Sequence, residues 1–170
     1  MKLLILGGTR FLGRALVDEA RAAGHTVTLF NRGRSNPELY PDVEQIHGDR
    51  DGGLDALVGR RWDAVIDTCG YVPRIVRAAA DFLAGAVDHY TFISSLSVYA
   101  EPLPVGADES VPLATTADET VEEITGETYG ALKALCERAA MEAMGDRALL
   151  VRSGLIVGPH DGSDRFNYWP

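Results

Sequence analysis

The stretch Leu3-Leu4-Ile5-Leu6-Gly7-Gly8-Thr9-Arg10-Phe11-Leu12-Gly13 decides how this chain folds. Its four leading apolar residues form a short β-type run that ends on glycine. From Phe11 to residue 23 the spacing turns helical, with Leu12, Ala15, Leu16, Ala20 and Ala23 on one face. Strand, glycine turn, helix is the setting in which a glycine-rich loop holds a dinucleotide. The turn needs residues without a Cβ so that backbone can approach a pyrophosphate closely. The helix behind it directs free N–H groups and the positive end of its dipole at the same charge. Arg10 occupies the slot of the middle glycine in that pattern.

Working outward, strand and helix patterns alternate. Residues 26–30, 43–47, 64–67, 89–94 and 148–152 read as further strands. Gly24 ends the first helix. A short helix is expected around 54–58, and another over 73–83, with Pro73 in its first turn where a missing N–H costs nothing. A last helix is expected over 126–144. Six short apolar strands separated by helices predict an α/β domain, a doubly wound parallel sheet of six or more strands with helices on both faces. Residues 100–125 are rich in proline and acid and too long for a simple connection. They read either as a solvated surface loop or as a lid or wall beside the site.

The 170 residues amount to one domain with a full core. Composition is that of a soluble globular protein, 46% hydrophobic and 24% charged. A formal charge of −9 argues against gripping nucleic acid electrostatically, although it leaves room for a local basic patch. Cys69 and Cys136 match no metal spacing and read as reduced thiols in a cytoplasmic protein. No signal peptide precedes the first strand, and no apolar run reaches membrane-spanning length. His25, His47, His89 and His160 read as surface or structural histidines, and no metal site is expected.

Two further segments carry chemistry. Ser94-Ser95-Leu96-Ser97-Val98-Tyr99 follows the fifth strand, so it faces the same crevice as the glycine loop. Tyr129-Gly130-Ala131-Leu132-Lys133 places a phenol and an ammonium on one helix face. A phenol is a poor base at neutral pH, and a neighbouring fixed cation favours its anion. The Ser95 hydroxyl would then orient a substrate oxygen beside that phenol. Alone, a Tyr-x-x-x-Lys spacing is common on amphipathic helices. Its weight comes from the serine turn and the glycine loop.

These motifs, together with Gly48-Asp49-Arg50-Asp51 and the run Arg152-Ser153-Gly154 through Pro159, occur in the order of a known superfamily. The chain resembles the short-chain dehydrogenases/reductases, in their extended branch of NAD-dependent epimerases and dehydratases, and the likeness covers nearly its whole length. The resemblance implies a Rossmann-like fold over residues 1–170 and a hydride transfer between a nicotinamide cofactor and a carbonyl or hydroxyl of a small substrate such as a nucleotide sugar. It implies Tyr129 as general acid/base, Lys133 as the group that tunes it and holds the nicotinamide ribose, and Ser95 on the substrate oxygen. Gly7, Thr9, Phe11, Leu12 and Gly13 would surround the pyrophosphate, with Asp49 and Arg50 at the adenine. Thr68, Cys69 and Gly70 would pass the cofactor through backbone contacts, Cys69 as a neutral filler. Ser153 and Gly154 would approach the nicotinamide end.

The departures are informative. Asn31 stands where NAD-preferring members place an acid for the ribose 2′-OH, and Arg32 and Arg34 follow it. A missing acid with added arginines, Arg10 included, suits a 2′-phosphate and so NADP, with NAD as the alternative. The arginines also read as ordinary surface charges. Ser153 replaces the proline usual in that motif. The sequence stops soon after the sixth strand, so the C-terminal substrate lobe of extended relatives is expected to be absent, which leaves an inactive cofactor-binding fragment as one reading. The aromatic-rich segment at 164–169 would suit a homodimer contact or cover by that lobe. The Gly-Gly-Thr-Arg-Phe-Leu-Gly loop also resembles chloroplast stem-loop RNA-binding members, so an RNA-associated, non-catalytic role is the competing reading.

Overall fold

The computed structural model describes residues 1–163, so the expectation for 164–169 lies outside the described residues. Six strands, β1 Lys2–Leu6, β2 Thr26–Asn31, β3 Glu44–His47, β4 Trp62–Asp67, β5 Val87–Ser95 and β6 Ala148–Ser153, form one sheet in the order β3-β2-β1-β4-β5-β6. Neighbouring strands pair in parallel throughout. The order reverses between β1 and β4. Connections from these two strands therefore leave in opposite directions and open a crevice at their carboxyl ends.

Successive strand residues face opposite sides of the sheet, so each strand feeds two cores. On one side Leu3, Ile5, Val27 and Leu29 pack against Val17 and Ala20 of α1 Phe11–Ala22. On the other, Leu4, Leu6, Val65, Tyr90 and Phe92 meet α2 Pro73–Leu83 and α3 Tyr129–Met144 through Val76, Ala79, Cys136 and Ala140. The expected doubly wound α/β architecture is the observed one.

The differences lie at element ends. β4 and β5 each begin two residues earlier than the apolar runs predict, because Trp62 pairs with Val87 across the sheet. The expected helix at 54–58 is a 3-10 turn over Leu54–Leu57. The expected helix from 126 starts at Tyr129 instead. Two threonine hydroxyls hold the preceding residues as a turn: Thr128 Oγ1 donates to Glu123 O at 2.6 Å, and Thr125 Oγ1 accepts from Glu127 N and Thr128 N, both at 3.2 Å. Tyr129 thereby becomes the first residue of α3, at the end of the helix nearest the crevice.

The long segment before α3 is stitched to the body. Ala114 N donates to Val98 O at 2.7 Å and Ala100 N to Pro112 O at 2.8 Å. Val111 and Leu113 close a small core with Val98, Tyr99 and Ala134. Farther along, Arg138 pairs with Glu119, and Arg74 with Glu122 at 2.7 Å. Residues 101–110 are exposed, while Val111, Leu113, Glu119 and Glu122 tie the rest of the segment to the body.

Candidate functional site

The phosphate loop is built by exclusion of side chains. Gly7 and Gly8 have φ of +109° and +95°, a region that favours glycine. A Cβ on Gly7 would stand 2.5 Å from Thr68 Oγ1, and one on Gly13 would stand 2.8 Å from Gly8 Cα. The loop is thus pressed between the end of β4 and the first turn of α1. Thr68 Oγ1 donates to Leu6 O at 2.8 Å, and the Cys69 thiol lies 3.5 Å from the same oxygen. The glycine loop and the Thr68–Cys69 turn therefore pack together at the carboxyl ends of β1 and β4. The N-terminus of α1 has no side-chain cap and no acid in its first turn. A helix N-terminus of this kind gathers backbone amides and the positive end of the dipole.

Arg10 is the residue before that helix, extended and exposed. The loop after β2 folds against it: Asn36 Nδ2 donates to Thr9 O at 2.7 Å. Asn31 Oδ1 accepts from Gly33 N at 2.7 Å, and its buried Nδ2 has no hydrogen-bond partner among the described residues. Arg32 and Arg34 on this loop are exposed. No carboxylate among the described residues pairs with Arg10, Arg32 or Arg34.

Arg50 and Asp49 behave differently from expectation. Asp49 Oδ1 caps its own turn by accepting from Asp51 N at 3.1 Å. The Arg50 guanidinium turns inward to Asp67, with both Nη atoms 2.7 Å from the two carboxylate oxygens. It is committed to that buried carboxylate rather than presented to an adenine. Burial pushes the Asp67 carboxyl up, but the adjoining Arg50 charge and hydrogen bonds outweigh it and hold it below the ordinary carboxylate range. Burial also raises the Cys69 thiol, which keeps it neutral and fits a filler.

Ser95 ends β5 and caps the 3-10 turn Leu96–Val98, its Oγ accepting from Ser97 N at 3.1 Å. The hydroxyl proton points to Ser97 Oγ at 3.1 Å. β6 lies alongside, with Ser153 in register with Ser95 and Gly154 against Leu96. The first turn of α3 is pressed on the same turn. A Cβ at Gly130 would stand 2.2 Å from Ser97 O, so only glycine lets the Tyr129 backbone come this close. The structure therefore brings Tyr129 to the serine turn.

Lys133 is seated elsewhere than predicted. It is 3% exposed, and Nζ donates to Gly70 O and Ile93 O, each at 2.8 Å. No hydrogen bond joins it to Tyr129. The cause is burial: an ammonium withdrawn from water must place its protons on acceptors, and the ends of β4 and β5 offer two carbonyls. The Phe92 ring, 4.1 Å away, adds a cation–π contact. Desolvation pulls the Lys133 ammonium below its ordinary range. Sequence reasoning passed over Asp67 and Gly130. A fixed Gly inside the Tyr-x-x-x-Lys span was the available signal for the second.

The carboxyl ends of a Rossmann-like sheet hold a glycine-rich loop, the N-terminus of α1 and the Ser95 turn against which the start of α3 is packed. Those features define a Rossmann-like α/β domain. The sequence matches the NAD dependent epimerase/dehydratase family over residues 3–168, and the chain belongs to that family. Among solved structures, UDP-galactose 4-epimerase superposes with a TM-score of 0.74 at 22% identity, covering 94% of this chain and 58% of that one. The dTDP-glucose 4,6-dehydratase of Bacillus anthracis, in complex with NAD, gives 0.71 at 15% identity, covering 94% and 56%. The UDP-Glc/GlcNAc 4-epimerase of Campylobacter jejuni gives 0.69 at 17%, covering 89% and 52%. The chain thus spans little more than half the length of these enzymes. Comparison with curated protein sequences gives no match. Among the described residues no helix is long and apolar enough to cross a membrane, and no cluster of metal-ligating side chains occurs.

Proposed function

We propose that residues 1–170 form the NADP(H)-binding domain of an oxidoreductase or epimerase whose substrate is a carbonyl or hydroxyl group of a nucleotide sugar. Residues 7–13 hold the pyrophosphate at the N-terminal end of α1, and the close packing at Gly7, Gly8 and Gly13 keeps side-chain bulk out of that loop. Thr68, Cys69 and Gly70 pass the cofactor at the end of β4. Arg10, Arg32 and Arg34 take the 2′-phosphate, where Asn31 offers no carboxylate to repel it. The nicotinamide supplies or accepts the hydride. Tyr129 Oη gives a proton to the substrate oxygen or takes one from it, and Ser95 turns its hydroxyl from Ser97 to the same atom. Ser153 and Gly154 line that end of the crevice, and the Lys133 charge lies beneath it.

The observation that carries this reading is the seating of α3 on the Ser95–Ser97 turn through Gly130, which supports a role for Tyr129 beside Ser95. Family membership supports a nicotinamide-dependent enzyme, and a fold neighbour such as MoeE5, solved with UDP-glucose and NAD, supports the nucleotide-sugar substrate. Nothing favours the RNA-associated alternative. Fluorescence titration tests the cofactor: NADPH should bind at least about tenfold tighter than NADH, a difference of about 1.4 kcal/mol. Equal or tighter NADH binding rejects the 2′-phosphate assignment. Tyr129→Phe in the full protein should lose about a hundredfold or more in turnover with NADPH binding retained. Undiminished turnover removes Tyr129 from the mechanism.

A further inference from the structure

Asp67 ends β4 directly under the crevice, with its side chain fully buried. Its two oxygens receive four donors: two from Arg50, Tyr90 Oη at 2.7 Å and Cys69 N at 3.1 Å. That fills the lone pairs of a carboxylate. A buried pair of this kind is weak evidence of stability, because desolvation offsets most of the attraction. Its consequence is local. By holding Cys69 N, Asp67 sets the path of residues 68–70, and Gly70 is wedged so tightly that a Cβ would stand 2.4 Å from Phe92 Cε2 and 2.7 Å from Val76 Cγ2. The Gly70 carbonyl so placed is one of the two acceptors of Lys133.

Charge points the same way. Lys133 has no carboxylate in contact among the described residues. Glu137, one helical turn along α3, is engaged by Arg152 in paired hydrogen bonds of 2.8 to 3.2 Å. The Cys136 thiol is pushed by burial up to about 12 and stays neutral near pH 7. The Tyr90 phenol is buried and neutral too, pushed well above its ordinary range. Of the charges around Lys133, Asp67 and the Arg152-engaged Glu137 favour its ammonium, and Arg50 opposes it.

We propose that Asp67 is a positioning residue for Lys133, fixing the turn that seats the ammonium and stabilising its charge, while Arg50 sets how much of that charge Lys133 feels. Its value to catalysis rests on the role assigned to Lys133 above, but the coupling itself does not. The sequence contains only two lysines, Lys2 and Lys133. Lysine 13Cε labelling therefore gives two NMR signals, with Lys2 as internal control.

Titration of the whole chain through the alkaline range then reads the coupling without any turnover assay. Asp67→Asn, which leaves Arg50 unopposed, should move the Lys133 titration to lower pH by more than about half a unit. Arg50→Gln should move it to higher pH, and the double variant should fall between. Loosening of the fold would instead hydrate Lys133 and move every variant upward. Shifts of one sign in both single variants, or none, overturn the proposal. If Asp67→Asn does not fold, Arg50→Gln against the double variant isolates the Asp67 charge, and coincident titrations refute it. NADPH titration of the same wild-type sample reports on the proposed function separately.

Discussion

Replacing Gly130 with alanine tests the packing that carries Tyr129 to the serine turn. An alanine Cβ at this position lies 2.2 Å from Ser97 O. An unstrained carbon–oxygen contact needs about 3.3 Å, so helix and turn must part by about 1 Å. The obstacle is a backbone carbonyl, which cannot swing aside as a flexible side chain would. Alanine in place of a helical glycine would by itself stabilise by roughly 0.5–1 kcal/mol. Overpacking works against this by about 1–3 kcal/mol. The net expectation is a loss of about 1.5 kcal/mol, a fall in Tm of about 3–6 °C for a domain of this size.

Turnover should suffer more than stability, because a displacement of about 1 Å at reacting groups can cost on the order of a hundredfold. Thermal unfolding by circular dichroism gives the first number and turnover of the full protein the second. Gly85→Ala and Gly126→Ala are matched controls, since a Cβ at either meets nothing within 4 Å; both should melt at or above wild type. A Gly130→Ala protein that melts no lower than wild type and keeps its turnover would refute the claim that this contact positions Tyr129.

Two further outcomes follow from buried groups. Asp67 has a folded-state pKa below its unfolded value, so the stability it contributes is present above the unfolded value near 4 and is lost as pH falls through the folded one. Urea unfolding of Asp67→Asn between about pH 2 and 6 should give a shallower acid limb than wild type; identical limbs would show that the Arg50 pair does not depress the carboxyl. Cys69 and Cys136 both have thiols raised by burial, Cys136 to about 12, so Ellman's reagent should react slowly with both at about pH 8 and fully only after unfolding. Fast reaction of either in the native protein would contradict that burial.

What the sequence made legible was local. The phosphate loop could be read because its constraints fall within seven consecutive residues, and Pro73 marked the start of α2 by its own missing N–H. What escaped was fixed across the chain. The early starts of β4 and β5 come from Trp62 meeting Val87, which neither run contains alone. Asp67 closes an apolar strand, and nothing within that strand marks its cation, which is Arg50 in another loop. The direction of Lys133 was read along its helix to Tyr129, four residues back. The acceptors that win, Gly70 O and Ile93 O, lie 63 and 40 positions away.

The arginines at the crevice rim are best judged against their counterparts elsewhere. In a chain of net charge −9, most arginines find an acid: Arg21 meets Asp42, Arg60 meets Glu44, Arg77 meets Glu142 and Arg138 meets Glu119. Arg74 holds Asp51 and Glu122 together. Arg10, Arg32 and Arg34 have no such partner among the described residues, and they gather where the loops after β1 and β2 meet. Ordinary surface charges would be expected to pair here as they do elsewhere on so acidic a surface. An unpaired cationic rim confined to one end of a crevice suits a single compact phosphate, because the surrounding negative field repels an extended polyanion. That contrast favours a cofactor 2′-phosphate over a nucleic acid backbone at the loop that opens the chain.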